Sequence, residues 1–130
     1  MGPYRPNLNP KAKILGDQQW SWLEQEFQKK ADLRVLVTSI QTLADYTGWE
    51  SWANFPLERK KLLELITKHQ KTKTIILSGD VHRGEIAELK LKENLLLLEA
   101  TSSGLTETTL KSPPNKNRLF RPVHKPNYGL

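Results

Sequence analysis

The chain contains no cysteine among its 130 residues. This absence excludes disulfide bonds, a thiolate nucleophile and the cysteine-based zinc sites of zinc fingers. It does not indicate a cellular compartment, because reduced and oxidising environments both tolerate chains without cysteine.

Long hydrophobic runs are also absent. The longest purely aliphatic block covers residues 95–98, whereas a membrane-spanning helix needs about 20 apolar residues. Residues 1–6 carry no apolar stretch of the kind found in secretory signals. The sequence therefore predicts no membrane span, and it leaves the localisation open.

Charge of one sign predominates. Lysine and arginine together number 20 and aspartate and glutamate 14, which gives a formal net charge of +6 at pH 7. An anionic partner is one interpretation of this excess, so one hypothesis is a basic interaction module that uses its Lys/Arg-rich surface and tail. The lysines are scattered over predicted helix faces and ends, however, and the tail from residue 111 to 125 is rich in proline. No specific nucleic-acid partner is predicted.

Two amphipathic helices are expected from the spacing of apolar residues. The first begins at Asp17, which suits an N-cap, and ends near residues 29–32. The second covers residues 57 to about 69 and follows Pro56, which suits the first helical position. The expected buried stripes are Trp20, Leu23 and Phe27 in the first helix and Leu62, Leu63 and Ile66 in the second.

Four strands are expected around these helices. Residues 33–40 are rich in valine and leucine, which predicts a strand buried on both faces of a parallel or mixed sheet. Residues 74–77 form the next strand. Residues 85–91 and 95–101, joined by a turn at 92–94, predict a β-hairpin that adds an antiparallel edge. The predicted fold class is α/β with a mixed sheet.

The candidate site follows the second strand, in Ser78-Gly79-Asp80-Val81-His82. In an extended or gently turning backbone, residues i and i+2 share a face. We therefore expect Asp80 and His82 to converge beyond the carboxyl end of the sheet, where ligands bind in open α/β folds, with Gly79 leaving room for the turn and for close approach. A carboxylate beside an imidazole suits Zn, Fe or Mn, or acid–base chemistry.

A simpler interpretation stands beside this one. An Asp-x-His at a strand end is also typical of a turn-capping Asp followed by a surface histidine. The other histidines lie in different surroundings, His69 in a basic helix end and His124 in the proline-rich tail. Two ligands do not complete a metal site.

Four segments, in order, resemble motifs of PhoD-type alkaline phosphatases, a branch of the calcineurin-like metallophosphoesterases. Residues 14–23 resemble an LG-x-x-Q-W-x-W-L segment, and residues 48–59 resemble an acidic-x-Trp…Pro-x-Glu-Arg loop. Residues 78–82 match the late metal motif of that family, and residues 101–105 the strand end that follows it. Residues 127–130 resemble the start of a further strand.

This resemblance implies a partial metallophosphoesterase-like α/β sandwich that hydrolyses phosphate mono- or diesters at a multi-metal centre. Asp80 and His82 would be metal ligands, and His82 is also the candidate catalytic residue. The resemblance does not distinguish Ca, Fe, Mn and Zn, and it assigns no substrate-binding residue.

Other polar and aromatic residues have two interpretations each. Gln41 either points at the same cavity or bonds backbone as a linker amide. Trp49 and Trp52 either pack their loop or stack on substrate. Arg59 either clamps a phosphate or forms an ion pair with the neighbouring Glu58.

The early metal motifs of the family precede the region that matches. We therefore expect residues 1–130 to be a single incomplete phosphatase-like domain, with the core match at 14–110 and loop-like segments at 1–13 and 111–127. Such a C-terminal part would be inactive alone and could lack metal. Its exposed sheet edge would be open to association with another chain.

Overall fold

The structure of the protein is a computed structural model in which residues 4–125 are described. Helix α1 spans Asp17–Gln28 and helix α2 spans Pro56–Lys68. The strands are β1 (Leu33–Val37), β2 (Lys73–Ser78), β3 (Gly84–Lys92) and β4 (Leu95–Ser102). A short 3-10 helix, Trp52–Asn54, precedes α2. The further strand expected at residues 127–130 lies outside the described residues.

The four strands form one mixed sheet in the order β1-β2-β4-β3. Strands β1, β2 and β4 are parallel, and β3 pairs antiparallel with β4 from Gly84↔Ser102 to Lys92↔Leu95. This arrangement confirms the predicted α/β class with an antiparallel hairpin at one edge. It also brings the carboxyl ends of three strands to the same edge of the sheet.

Both helices contribute to one hydrophobic core on one face of the sheet. Trp20, Leu23 and Phe27 are buried, as the stripe of α1 predicts. In α2 the buried apolar residues are Leu62, Leu65 and Ile66, whereas Leu63 is only partly buried. The core is completed from the sheet and the connecting loops by Leu43, Trp52, Ile76, Ala87 and Leu97. Asp17 is the first residue of α1, and Gly16 takes the N-cap position expected for it.

The other face of the sheet exposes apolar side chains. In β1, Leu33, Val35 and Val37 are 50%, 51% and 73% exposed. The prediction that this strand is buried on both faces is therefore wrong, because β1 is an edge strand and the helices pack on one side only. It also ends at Val37 rather than at residue 40. The neighbouring strands continue the exposed face with Leu77, Leu96 and Leu98.

The two edges of the sheet differ. Beside β3 lies an irregular segment that forms bridges at Gly84↔Val123 and Ala87↔Arg118. The proline-rich tail is thus anchored to the sheet as far as it is described. Association through the exposed edge at β1 stays a prediction. No helix among residues 4–125 is long and apolar enough to cross a membrane.

The core contribution of α2 can be tested with two leucines of the same helix. Leu62 is 1% exposed and Leu57 is 47% exposed. We expect Leu62→Ala to lower the free energy of unfolding by about 2–5 kcal/mol, since it leaves a cavity, and Leu57→Ala by about 0.5 kcal/mol or less. Urea unfolding measures both, and equal losses would contradict this packing.

Candidate functional site

Small polar residues meet where the three parallel strands end. The hydroxyls of Ser78 and Thr101 lie 2.8 Å apart, which joins the ends of β2 and β4. A Cβ atom built on Gly79 would lie 3.6 Å from the Ser39 carbonyl oxygen and 3.7 Å from the Ser103 Cβ. These are ordinary contact distances, so packing within the protein does not require a glycine there, and close approach of a ligand at Gly79 stays a prediction. What they show is that all three strand ends converge at this glycine.

The backbone after β2 turns sharply rather than gently. The Val81 N–H donates to the Gly79 carbonyl at 3.0 Å, which closes a γ-turn with Asp80 at its centre. Asp80 has φ 74° and His82 has φ 54°, both in the left-handed region that side chains disfavour. The expectation of an extended backbone between them is therefore wrong.

Asp80 and His82 nevertheless open onto one concave surface. Both residues are exposed, while Val81 between them is buried. Together with Trp49, Glu50 and Thr109 they line a cavity of about 270 Å³. Their position at the carboxyl edge of the sheet agrees with the sequence-based expectation, and their role as metal ligands stays a prediction.

The strained turn is held from several sides. The His82 N–H donates to the Ser103 hydroxyl at 3.0 Å, and the Thr109 N–H donates to the His82 carbonyl at 2.9 Å. The Arg83 guanidinium and the Thr109 hydroxyl each approach the Val81 carbonyl at 3.4 Å. Non-glycine residues at positive φ cost on the order of 1–3 kcal/mol, persist only when their surroundings fix them, and cluster at functional sites.

Two cavity residues were not predicted from the sequence as site residues. Glu50 accepts a hydrogen bond from the Tyr4 hydroxyl at 2.7 Å, and this bond lowers the pKa of Glu50, so a carboxylate other than that of Asp80 also faces the cavity. Glu50 lies within the segment 48–59 that carried a family motif, which was the available signal. No sequence pattern indicated Thr109, because its position at the cavity depends on a backbone hydrogen bond to His82, 27 residues away in the chain.

The structure separates the two tryptophans. Trp49 is 54% exposed and lines the cavity, whereas Trp52 is buried. The Trp52 indole donates to the Thr38 hydroxyl at 3.0 Å, and its ring packs edge-on against Trp20. Packing therefore accounts for Trp52, and only Trp49 is placed to meet a ligand.

Gln41 and Arg59 have roles that neither interpretation described. Gln41 is fully buried, and its amide bonds the Thr101 hydroxyl at 3.0 Å and the Arg83 guanidinium at 3.4 Å. The side-chain amide of Gln41 was expected to bond backbone groups, and it bonds other side chains instead. Arg59 donates to two backbone carbonyls instead of pairing with Glu58. The Glu58 carboxylate accepts hydrogen bonds from the Trp20 indole and from the backbone N–H groups of residues 14 and 15, just before α1.

A buried carboxylate in β4 organises the loop that carries Trp49 and Glu50. Glu99 is fully buried and accepts the N–H groups of Thr42 and Leu43, each at 2.7 Å. Arg59 donates to the carbonyls of the same two residues at 2.6 and 3.2 Å. Burial raises the pKa of Glu99 and lowers that of Arg59, and the attraction between the two opposes the second shift.

A second buried carboxylate, in β3, faces the turn. Glu85 accepts hydrogen bonds from Arg83 at 2.8 Å, Arg118 at 3.1 Å and Asn115 at 2.6 Å. Burial acts to raise the pKa of Glu85, but the hydrogen bonds from these three residues together lower it. Glu85 is therefore a stable anion inside the protein.

The donors at the turn fit part of a metal site. Asp80 offers carboxylate oxygens and His82 an imidazole nitrogen, a set that suits Fe, Zn or Mn. No group of three or more His, Asp or Glu side chains is arranged to hold a metal ion within residues 4–125. A catalytic zinc site usually has about three protein ligands, so these two residues would need others.

Comparisons with known proteins identify the class. A family model for PhoD-like phosphatases matches residues 3–123, and the chain belongs to this family. A solved structure described as "Structure of PhoD" is similar in fold, with a TM-score of 0.65 and 21% sequence identity. The match covers 76% of this chain and 22% of that chain, so the chain spans about a fifth of the length of that relative. No curated protein matches the chain.

The two buried glutamates predict opposite pH dependences. Glu99, with a pKa raised above 4.5, contributes stability that is full below 4.5 and is lost as the pH rises through its folded-state pKa. Glu85, with a lowered pKa, contributes stability above 4.5 that is lost as the pH falls. In urea unfolding, the stability of Glu99→Gln relative to wild type should therefore improve as the pH rises. The stability of Glu85→Gln relative to wild type should improve as the pH falls. If both relative stabilities changed in the same direction with pH, both assignments would be wrong.

Proposed function

We propose that Asp80 and His82 are ligands in the metal centre of a PhoD-like phosphatase that hydrolyses phosphate mono- or diesters. One observation carries the proposal. Two exposed, ligand-type side chains are held in strained backbone at the carboxyl edge of a parallel sheet, and they line one cavity. The family match makes phosphate esters the expected substrate class.

Metal ions bound there would supply a hydroxide nucleophile at neutral pH and stabilise charge on the phosphoryl oxygens. Asp80 and Glu50 make the cavity negative, which favours a cation and disfavours a phosphate that arrives without one. His82 would bind the metal through an imidazole nitrogen, or donate a proton to the leaving oxygen. The exposed ring of Trp49 offers an apolar surface for the organic part of an ester.

The proposed centre needs more ligands than these residues supply. A two-metal site uses more protein ligands than the roughly three of a single catalytic zinc. We propose that the remaining ligands lie outside the described residues, in another part of a longer protein or in a second chain. The 22% share of the solved PhoD structure that the match covers is in keeping with this.

The alternative of a basic interaction module has little support. Five lysines lie within 4.0 Å of carboxylates, in the pairs Lys13–Asp17, Lys29–Glu26, Lys60–Glu64, Lys61–Glu24 and Lys116–Asp45. Arg34, Arg59 and Arg83 donate to backbone carbonyls or to a carboxylate within the fold. Much of the positive charge is thus engaged locally.

Metal binding at the turn can be tested without turnover. Mn²⁺ titrated into ¹⁵N-labelled protein should broaden the amide signals of residues 80–82 first, because the ion is paramagnetic. His82→Ala should weaken this binding by at least the roughly 10–100-fold that loss of an outer-shell partner costs. His69→Ala is the matched control, since His69 caps α2 and packs on Phe27. It should leave Mn²⁺ binding at residues 80–82 unchanged. Broadening that persists in His82→Ala and Asp80→Ala would refute the assignment.

The 130-residue chain by itself should hydrolyse bis- or mono-p-nitrophenyl phosphate slowly or not at all in Mn, Ca, Fe or Zn. The reason is that two protein ligands rarely hold a divalent ion in catalytic geometry. Once the missing ligands are supplied, activity should appear, and Asp80→Ala or His82→Ala should abolish it. Robust, EDTA-sensitive turnover by the chain alone would overturn the need for further ligands.

A further inference from the structure

Arg83 follows His82 in the sequence but points away from the cavity. Its side chain is buried and reaches three other parts of the fold. Nε donates to the Glu85 carboxylate at 2.8 Å, while the two terminal nitrogens approach the Val81 carbonyl and the Gln41 amide oxygen, each at 3.4 Å. The guanidinium thus connects β3, the turn and the loop after β1.

The lengths of these contacts show which one sets the orientation. At 2.8 Å the bond to Glu85 is a normal charge-assisted hydrogen bond, whereas 3.4 Å lies beyond the usual range for N–H···O bonds. Glu85 is itself fixed, because β3 pairs it with Thr101 of β4 and because Arg118 and Asn115 also donate to its carboxylate. The direction of the Arg83 side chain therefore follows from Glu85.

We propose that Glu85 is a positioning residue for His82 and acts through Arg83. Held by Glu85, the guanidinium lies against the Val81 carbonyl, on the peptide that leads into His82. This contact keeps His82 at φ 54°, with its N–H on Ser103 and its carbonyl on Thr109. The imidazole is then presented to the cavity before any metal binds.

Only the presentation of the His82 imidazole to a metal ion rests on the proposed function. The backbone of His82 is a property of the protein without metal, and amide hydrogen exchange measures it directly. The His82 and Thr109 amides report on the turn, because each donates one of its two anchoring bonds. The Thr42 and Leu43 amides report on the separate Glu99 site and serve as the internal control.

The first variant is Arg83→Lys, which keeps the charge beside Glu85 and loses the forked donors. We expect at least tenfold faster exchange at His82 and Thr109, and unchanged exchange at Thr42 and Leu43. The matched control is Glu99→Gln, which should show the reverse pattern. Glu85→Gln should resemble Arg83→Lys, and the double variant should be no worse than the more affected single one, since both act through one pair.

Two results would overturn the inference. One is unchanged protection of His82 and Thr109 in folded Arg83→Lys, and the other is an equal loss at all four amides, which would mean a general loss of stability. Mn²⁺ titration of the same variant separates the two proposals. Faster exchange with weaker Mn²⁺ binding at residues 80–82 supports both. Faster exchange in a protein whose wild type shows no Mn²⁺ binding there retains the positioning role and refutes metal binding by Asp80 and His82 without further ligands.

Discussion

The arrangement of the candidate site depends on one interaction, in which Glu99 and Arg59 together bind the backbone of two consecutive residues, Thr42 and Leu43. The carboxylate accepts the N–H groups of Thr42 and Leu43, and the guanidinium donates to the carbonyls of the same residues. A segment with no regular secondary structure of its own thereby satisfies buried backbone groups that would otherwise be costly. Because this anchors the loop that follows β1, its far end can bring Trp49 and Glu50 to the cavity.

Two buried carboxylates lie on neighbouring strands of this sheet, Glu85 on β3 and Glu99 on β4, and respond differently to burial. Glu85 has three charged or amide donors and stays ionised, whereas Glu99 is bound mainly by backbone N–H groups and has its pKa raised by burial. The negative charge of Glu85 adds to that rise. Each carboxylate holds one wall of the cavity, Glu99 the Trp49 loop and Glu85 the Asp80–His82 turn through Arg83. The site is thus built on carboxylates that never face the solvent.

Local patterns in the sequence predicted the parts of the fold that depend on local physics. The stripe of Trp20, Leu23 and Phe27 gave α1, and alternation with a short turn gave the β3–β4 hairpin. The exposure of β1 was missed, because a run of valine and leucine does not show what covers it. Glu85 and Glu99 were also missed, since the donors to Glu99 lie 57 and 56 residues away and no spacing rule reveals them. Asp80 and His82 lie at the carboxyl edge of the sheet, as predicted, but in a backbone conformation that was not expected, and their role as site residues stays a prediction.

That error in the backbone explains how the turn works. Asp80 and His82 would share a face in an extended strand through pleating alone, and any competing contact could then rotate them. In the left-handed turn the backbone at His82 is instead fixed by bonds to Ser103 and Thr109, which follow β4. The backbone at Asp80 is fixed by the bond from the Val81 N–H to the Gly79 carbonyl. The strain of the turn is offset by these contacts only when the sheet is already formed. The backbone that carries these two side chains is therefore set by folding, and a metal ion of the proposed centre would have less conformational entropy to remove.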